Sequence, residues 1–517
     1  MYCHKFILLV GFPIFGVVLS TALLAENPEK QSQDKGLLGK TANETGKSET
    51  EAETKEIPPV SKDASVMIAG TPVPYRVTAG KLALKHDDGK TRAGIFHVSY
   101  ERTDVKNPAQ RPVMFAFNGG PGSSAVWLHI GVLGPKIVRF PGDGTEATPV
   151  PSRIEDNPLS ILDACDLVFI DPVSTGYSRV EKGVKAEDFH GVQEDISSVA
   201  EFIRRWITEH DRWASPKFLL GESYGGVRAA GLADHLQSET GMQINGVILL
   251  STLLDFATLQ TAPRNDLPFL AFLPSYAGAA LHHGKAKATD PEAFIRESAA
   301  FAFGPYATAL LKGNTLEDAE KRSIAAKLAV FTGIPAEIWI KRGLRIGPSL
   351  FRAELLRAEG KVLGRFDARV AWPAPDPAAE LPDYDPSFAL AYAAFSTAFM
   401  DYLGRVVGYK EERPYEILTD KVQPWKWDSP NAPLNLTSDL ADAMRDNPKF
   451  RVLVMAGRTD LATPPEGVAH SLRHLPLQPE STKGRIVTSS YAGGHMFYLN
   501  PPDLKKCRED LLNFIGP

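Results

Sequence analysis

Between Val66 and Glu101 apolar and polar residues alternate, interrupted at Asp87, Asp88 and Gly89. A period of two around a turn signal predicts antiparallel strands with one buried face. Downstream the texture changes to short, uninterrupted apolar runs: PVMFAF before Asn118, DLVFI before Asp171, KFLL before Gly221, INGVILL before Ser251 and RVLVM before Ala456. Strands buried on both faces have this composition, which predicts a mainly parallel sheet. Val192, Ile196, Val199, Ile203 and Trp206 recur at helical spacing between two of these runs, so strands alternate with helices. The fold class is α/β, doubly wound.

From Leu253 to Lys449 the chain is rich in Ala and helix formers and is punctuated by a Pro-rich run from Ala371 to Pro386. This predicts a helical insertion, residues 253–449, dividing a core of 64–252 and 450–517. Thr315 and Asp318 have the spacing of a capping box for a helix that stops at Gly333. Phe388, Tyr392, Phe395, Phe399 and Tyr402 form an aromatic stripe, expected to be the insertion's core rather than a substrate wall.

At the N-terminus His4 and Lys5 precede an apolar stretch over residues 6–25, with small Ser20, Ala22 and Ala25 at cleavage spacing. Residues 1–25 are therefore expected to be an export signal or, if retained, a membrane anchor. Residues 26–63 shift to Glu, Lys, Thr, Gly and Ser and are expected to be a disordered linker. The remaining composition narrows the function. With 57 Lys plus Arg against 62 Asp plus Glu, the formal charge is -5, which provides no basic field for nucleic acid. Three cysteines exclude a disulfide scaffold, leaving Cys165 and Cys507 as two buried thiols or one pair.

The strand KFLL runs into Gly221, Glu222, Ser223, Tyr224 and Gly225, a Gly-x-Ser-x-Gly pattern followed by an amphipathic helix. At a strand-to-helix turn the glycines permit the sharp backbone that lifts a serine above the sheet. Such a serine needs a base, and the base an acid that fixes its tautomer. RVLVMAGRTD delivers Asp460 and GRIVTSSYAGGHM delivers His495, both beyond strand ends and in the order Ser, Asp, His. NGGPGSS, Asn118 to Ser124, follows another strand, and its glycines let backbone N–H groups approach an oxyanion. A dinucleotide fingerprint over Gly120, Gly122 and Ala125, with Asp143 downstream, is the rival reading. Gly131, Gly134 and Pro135 leave too short a helix for it.

NGGPGSS, FIDPVSTGYS from Phe169 to Ser178, GESYGG, AGRTD and AGGHM together resemble the serine carboxypeptidase family, an α/β-hydrolase branch, over about Pro74 to Ile515. The resemblance implies that Ser223 is the nucleophile, His495 the general base and acid, and Asp460 its orienting partner. It implies that Gly120 and Tyr224 supply the oxyanion hole, that Asn118 and Glu222 hold the substrate's C-terminal carboxylate, and that the insertion caps the site. It implies peptide substrates with a free C-terminus; no cofactor is expected. Members known for strong carboxylate recognition carry a second acid two positions before Gly134 and Pro135, where this chain has Val132. LPSYAGAALHHGK, Leu273 to Lys285, is similar to bacterial members. His282 and His283 are adjacent rather than at metal-ligand spacing, so no metal is expected. An esterase or acyltransferase on the same fold is the alternative. A catalytically silent binding protein would be expected to lack one of the three residues, and none is missing.

Overall fold

The computed structural model describes residues 57–428 and 432–516. The expected export signal or anchor, and the expected linker as far as residue 56, lie outside the described residues. A ten-stranded mixed sheet organises the described chain. Its main strands are β1 (Val60–Ile68), β2 (Thr71–Lys85), β3 (Thr91–Arg102), β4 (Val113–Phe117), β5 (Asp166–Ile170), β6 (Lys217–Glu222), β7 (Gly246–Leu250), β8 (Arg451–Gly457) and β9 (Ile486–Tyr491). They lie in the order β1-β2-β3-β5-β4-β6-β7-β8-β9, with the short strand Arg179–Val180 on β3. β1 to β3 are antiparallel, β3 is antiparallel to β5, and every later pairing is parallel.

The linker's expected end at residue 63 is corrected by β1, which starts at Val60 and pairs with β2 along its whole length. Its first residues are mostly exposed and polar, which reads as linker, but an edge strand gains its order from backbone pairing rather than burial.

Along each central strand alternate residues feed opposite faces. Val113, Phe115 and Phe117 of β4 and Leu219 of β6 join a core with helices α1 (Val192–Glu209) and α2 (Tyr224–Ser238). Met114, Ala116, Phe218 and Leu220 face the other core, which includes Cys165, Cys507 and the aromatic side chains Phe395, Phe399 and Tyr402. The two cysteines are unpaired and buried, and burial pushes both thiols up.

The insertion divides differently from the expected 253–449. Helices α3 (Leu267–His282) and α4 (Asp318–Thr332) belong to a third core that reaches Ala368 and takes in Leu461. Helix α5 (Pro386–Asp401) and helix α6 (Thr437–Asp446) instead pack their apolar faces onto the two sides of the sheet. Ala-rich amphipathic sequence looks alike whichever core receives it. Gly333 does end α4 in the left-handed region, but Thr315 turns its hydroxyl back to the Lys312 carbonyl, and no side chain caps the helix.

The register levels the carboxyl ends of the parallel strands. Phe117 pairs with Gly221, Glu222 with Leu250, and Leu250 with Met455. Whatever follows these strands therefore meets at one edge, the usual place for a site in such sheets.

Candidate active site

β6 ends at Glu222, and α2 begins at Tyr224, so Ser223 makes the whole turn. Its φ of 60° and ψ of -130° lie where a side chain is strained. Close packing enforces the glycines around it. A Cβ at Gly221 would overlap the Gly225 carbonyl, and one at Gly226 would overlap the Thr252 hydroxyl. Ser223 N–H donates to Leu250 O at 3.0 Å, and Thr252 Oγ1 donates to Ser223 O at 2.6 Å. These bonds fix the backbone, whereas Ser223 Oγ is half-buried and makes no hydrogen bond among the described residues.

The glycine loop lies against this turn. A Cβ on Gly119 would collide with Tyr224 N, and Gly120 takes φ 102°, so only glycine lets the two backbones approach so closely. Tyr224 is the first residue of α2 and its N–H has no acceptor within the helix. Gly120 N–H is likewise unbonded among the described residues. The FIDPVSTGYS run supports the loop from behind, where Asp171 Oδ1 accepts from Ala125 N–H at 2.9 Å. Burial pushes Asp171 up to about 7. After the loop stand only a three-residue helix, Val126–Leu128, and the turn His129–Leu133, too little for a dinucleotide crossover.

β8 and β9 deliver Asp460 and His495, which are 0% and 4% exposed. Asp460 Oδ1 accepts from the N–H groups of Ala462 and Thr463, leaving Oδ2 for His495 Nδ1 at 2.7 Å and for the Thr463 hydroxyl at 2.8 Å. Burial works to lower the His495 imidazole, but the Asp460 carboxylate outweighs it and the net shift is upward. Asp460 and His495 are thus joined, whereas Ser223 Oγ is not hydrogen-bonded to His495. In unliganded sites such bonds are often long.

Residues 365–369 of the insertion thread between these two loops. Arg365 O accepts from Leu461 N–H and Phe366 O from His495 N–H, while Ala368 N–H donates to Thr459 O. Asp367 Oδ1 takes the Thr459 hydroxyl at 2.8 Å, and Arg369 holds Asp367 in turn. The Phe366 ring stacks on His495 with centroids 5.1 Å apart. Beyond Phe366 an aromatic row continues through Phe388 to Tyr392, which is 37% exposed. The outer end of the predicted stripe therefore faces outward, while Phe395, Phe399 and Tyr402 are buried, but in the core against the sheet rather than in a core of the insertion's own.

Because Phe117 pairs with Gly221, the next residues on the two strands, Asn118 and Glu222, stand side by side. Asn118 Nδ2 donates to Glu222 Oε2 at 2.8 Å, and Asn118 Oδ1 accepts from Leu128 N–H at 3.2 Å. Arg228, buried and paired with Asp195 at 2.7 Å, donates to Asn118 O and holds that strand end. The Tyr498 hydroxyl lies 3.1 Å from both Glu222 oxygens. Burial pushes Glu222 up to about 7, against the nearby His495 and the two donors. Val132 is buried in apolar surroundings, so Tyr498 is the group that joins Asn118 on this glutamate. Tyr498 had one sequence signal, its position three residues after His495. Thr463, Phe366 and Asp367 had none. Among the described residues, no cluster of three or more His, Cys, Asp or Glu could hold a metal. Nor is any helix there long and apolar enough to cross a membrane.

Residues 70–262 match the family model for serine carboxypeptidases. Serine carboxypeptidase-like 8 of Arabidopsis thaliana is 25% identical over 32% of this chain and 36% of its own length. Serine carboxypeptidase-like 34 of the same plant is 26% identical over 37% of each. The chain spans less than half the length of these curated relatives. The crystal structure of Kex1(delta)p, a prohormone-processing carboxypeptidase from Saccharomyces cerevisiae, has a TM-score of 0.53 at 13% identity, covering 85% of this chain and 91% of that one. That likeness shows the fold, an α/β-hydrolase sheet flanked by helices. The family match carries the glycine loop and the serine turn, while Asp460 and His495 lie beyond it. Over residues 70–262, then, the chain is similar to the serine carboxypeptidases, and its fold is that of an α/β-hydrolase.

Proposed function

We propose that this chain is an exported serine carboxypeptidase of the bacterial type, which cleaves C-terminal peptide bonds through an acyl-enzyme on Ser223. His495 takes the Ser223 proton as the hydroxyl attacks and returns it to the leaving amine, while Asp460 holds the imidazole in the tautomer this requires. The N–H groups of Gly120 and Tyr224 receive the oxyanion. Water then attacks the acyl-enzyme, with His495 again as base. Asn118 and Glu222 bind the terminal carboxylate of the peptide.

One observation carries the reading: a buried glutamate beside the serine turn, bonded to Asn118 and Tyr498, whose carboxyl burial pushes up to about 7. A carboxyl can donate to an anionic carboxylate only while it is protonated, and burial keeps it so through the acidic range. The test is incubation with paired peptides that differ only in a free or amidated C-terminus, followed by mass spectrometry. Trimming of the free acid alone supports the proposal. Equal cleavage of both favours the second reading, an esterase or acyltransferase, for which Val132 speaks by removing an acid from the carboxylate site.

The bacterial type rests on LPSYAGAALHHGK and on the unpaired Cys165 and Cys507. Export rests on the apolar residues 6–25 behind His4 and Lys5. N-terminal sequencing of the protein from a periplasmic or secreted fraction tests this. A start after Ala22 or Ala25 indicates a cleaved signal, an intact chain in the membrane fraction an anchor, and an intact cytosolic chain refutes export.

A further inference from the structure

Arg365 is held firmly by its backbone, while its charge has no carboxylate partner among the described residues. Its N–H donates to Asp385 Oδ1 at 2.9 Å, and its carbonyl accepts from Leu461 N–H at 3.0 Å. Two carboxylates stand close in sequence or space, yet both are committed elsewhere. Asp367 is taken by Arg369 and the Thr459 hydroxyl, and Asp385 accepts from Ser387 in addition to the Arg365 backbone. Among the described residues the Arg365 guanidinium has no ion pair and no hydrogen bond. It lies over the Phe366 ring, 5.6 Å from the centroid.

That ring is the one stacked on His495. Arg365, Phe366 and Ser223 are half-buried, in contrast with the buried Asn118, Glu222, Asp460 and His495, so each keeps surface that a ligand can reach. Arg365 makes no hydrogen bond or ring contact with Asn118, Glu222 or Tyr498.

We propose that Arg365 forms an anionic subsite that takes the carboxylate side chain of a substrate residue adjoining the cleaved bond. An arginine with five donors and no partner matches a planar carboxylate, and the aromatic row beside it suits the methylenes of a glutamate.

This inference rests on the carboxypeptidase reading for its peptide arm, and the experiment separates the two. The full chain and its R365Q and R365K variants are given free-acid peptides, identical except for Glu, Gln or Lys at the last or penultimate position. They are also given p-nitrophenyl hemiglutarate and p-nitrophenyl valerate, whose acyl chains differ by one carboxylate. The wild type is expected to favour Glu over Gln at one position by roughly tenfold in kcat/KM, the size of one partly desolvated charge pair. R365Q brings that ratio close to one, and R365K keeps part of it. Each ratio is internal to one protein, so partial misfolding does not distort it. Equal use of Glu and Gln by the wild type at both positions, or a preference that survives in R365Q, overturns the subsite. If the wild type cleaves the esters and trims no peptide, the carboxypeptidase reading fails, and the hemiglutarate to valerate ratio decides for or against Arg365.

Discussion

Replacing Glu222 with Gln tests the carboxylate site through two independent readouts. Burial raises the Glu222 pKa from an ordinary 4.5 to about 7. The folded state then holds this proton more tightly than the unfolded chain. The resulting stability is fully present below pH 4.5 and is lost as pH rises through about 7. At about 1.4 kcal/mol per pH unit, that interval is worth about 3 kcal/mol. The glutamine side chain of E222Q fits the same bonds, because its oxygen can accept from Asn118 Nδ2 while its amide donates to the Tyr498 hydroxyl, which can both donate and accept. It does not titrate. Urea unfolding of both proteins at pH 5 and pH 8 should show the wild type losing about 2 to 3 kcal/mol more than E222Q, less whatever the ionised Glu222 returns by favouring the protonated His495. In kinetics, KM for a free-acid peptide should rise with pH in the wild type and stay flat in E222Q, while ester substrates are less affected. Parallel stability curves for the two proteins would refute the buried neutral acid, and parallel KM profiles would refute its part in binding.

S223A should keep the fold and lose several orders of magnitude in turnover, and a serine-directed phosphonate should label Ser223 alone; label on another serine would undo the assignment. D460N should keep its oxygen toward Ala462 N–H and Thr463 N–H and turn its amide to His495 Nδ1, forcing the wrong tautomer. Its kcat should fall by up to about four orders of magnitude with KM little changed, and an unchanged kcat would point to another acid. F366A removes the ring against His495 and should lower kcat about tenfold with a smaller change in KM, F366L recovering part; equal loss in both variants would argue against ring packing as the positioning device.

How much of this was legible in the sequence depended on the range of the interactions. The buried strands β4 to β8 and helix α1 announce themselves because each side chain's environment repeats along the element. Ser223 was legible for a related reason, since Gly221, Gly225 and Gly226 answer to contacts made within a few residues or with the neighbouring strand end. β1 was hidden because its order comes from pairing with β2 rather than from its own composition. The partition of the insertion was hidden because α6 and α4 are both amphipathic and only the packing tells which core receives each. Tyr498 on Glu222, and residues 365–369 between the acid and base loops, are meetings of segments far apart in the chain. No local periodicity reports them.

The threading of residues 365–369 between Leu461, Thr459 and His495 bears on how this protein can be taken apart. A lid that only covers a site can be exchanged or trimmed while the chemistry beneath persists. Here three backbone hydrogen bonds and the Asp367 carboxylate tie the insertion to the loops that carry Asp460 and His495. A transplanted insertion therefore has to bring an equivalent of this segment with it. Proteolytic nicking near residue 365 should abolish turnover while the sheet is still intact, so inactivation and global unfolding become separable events.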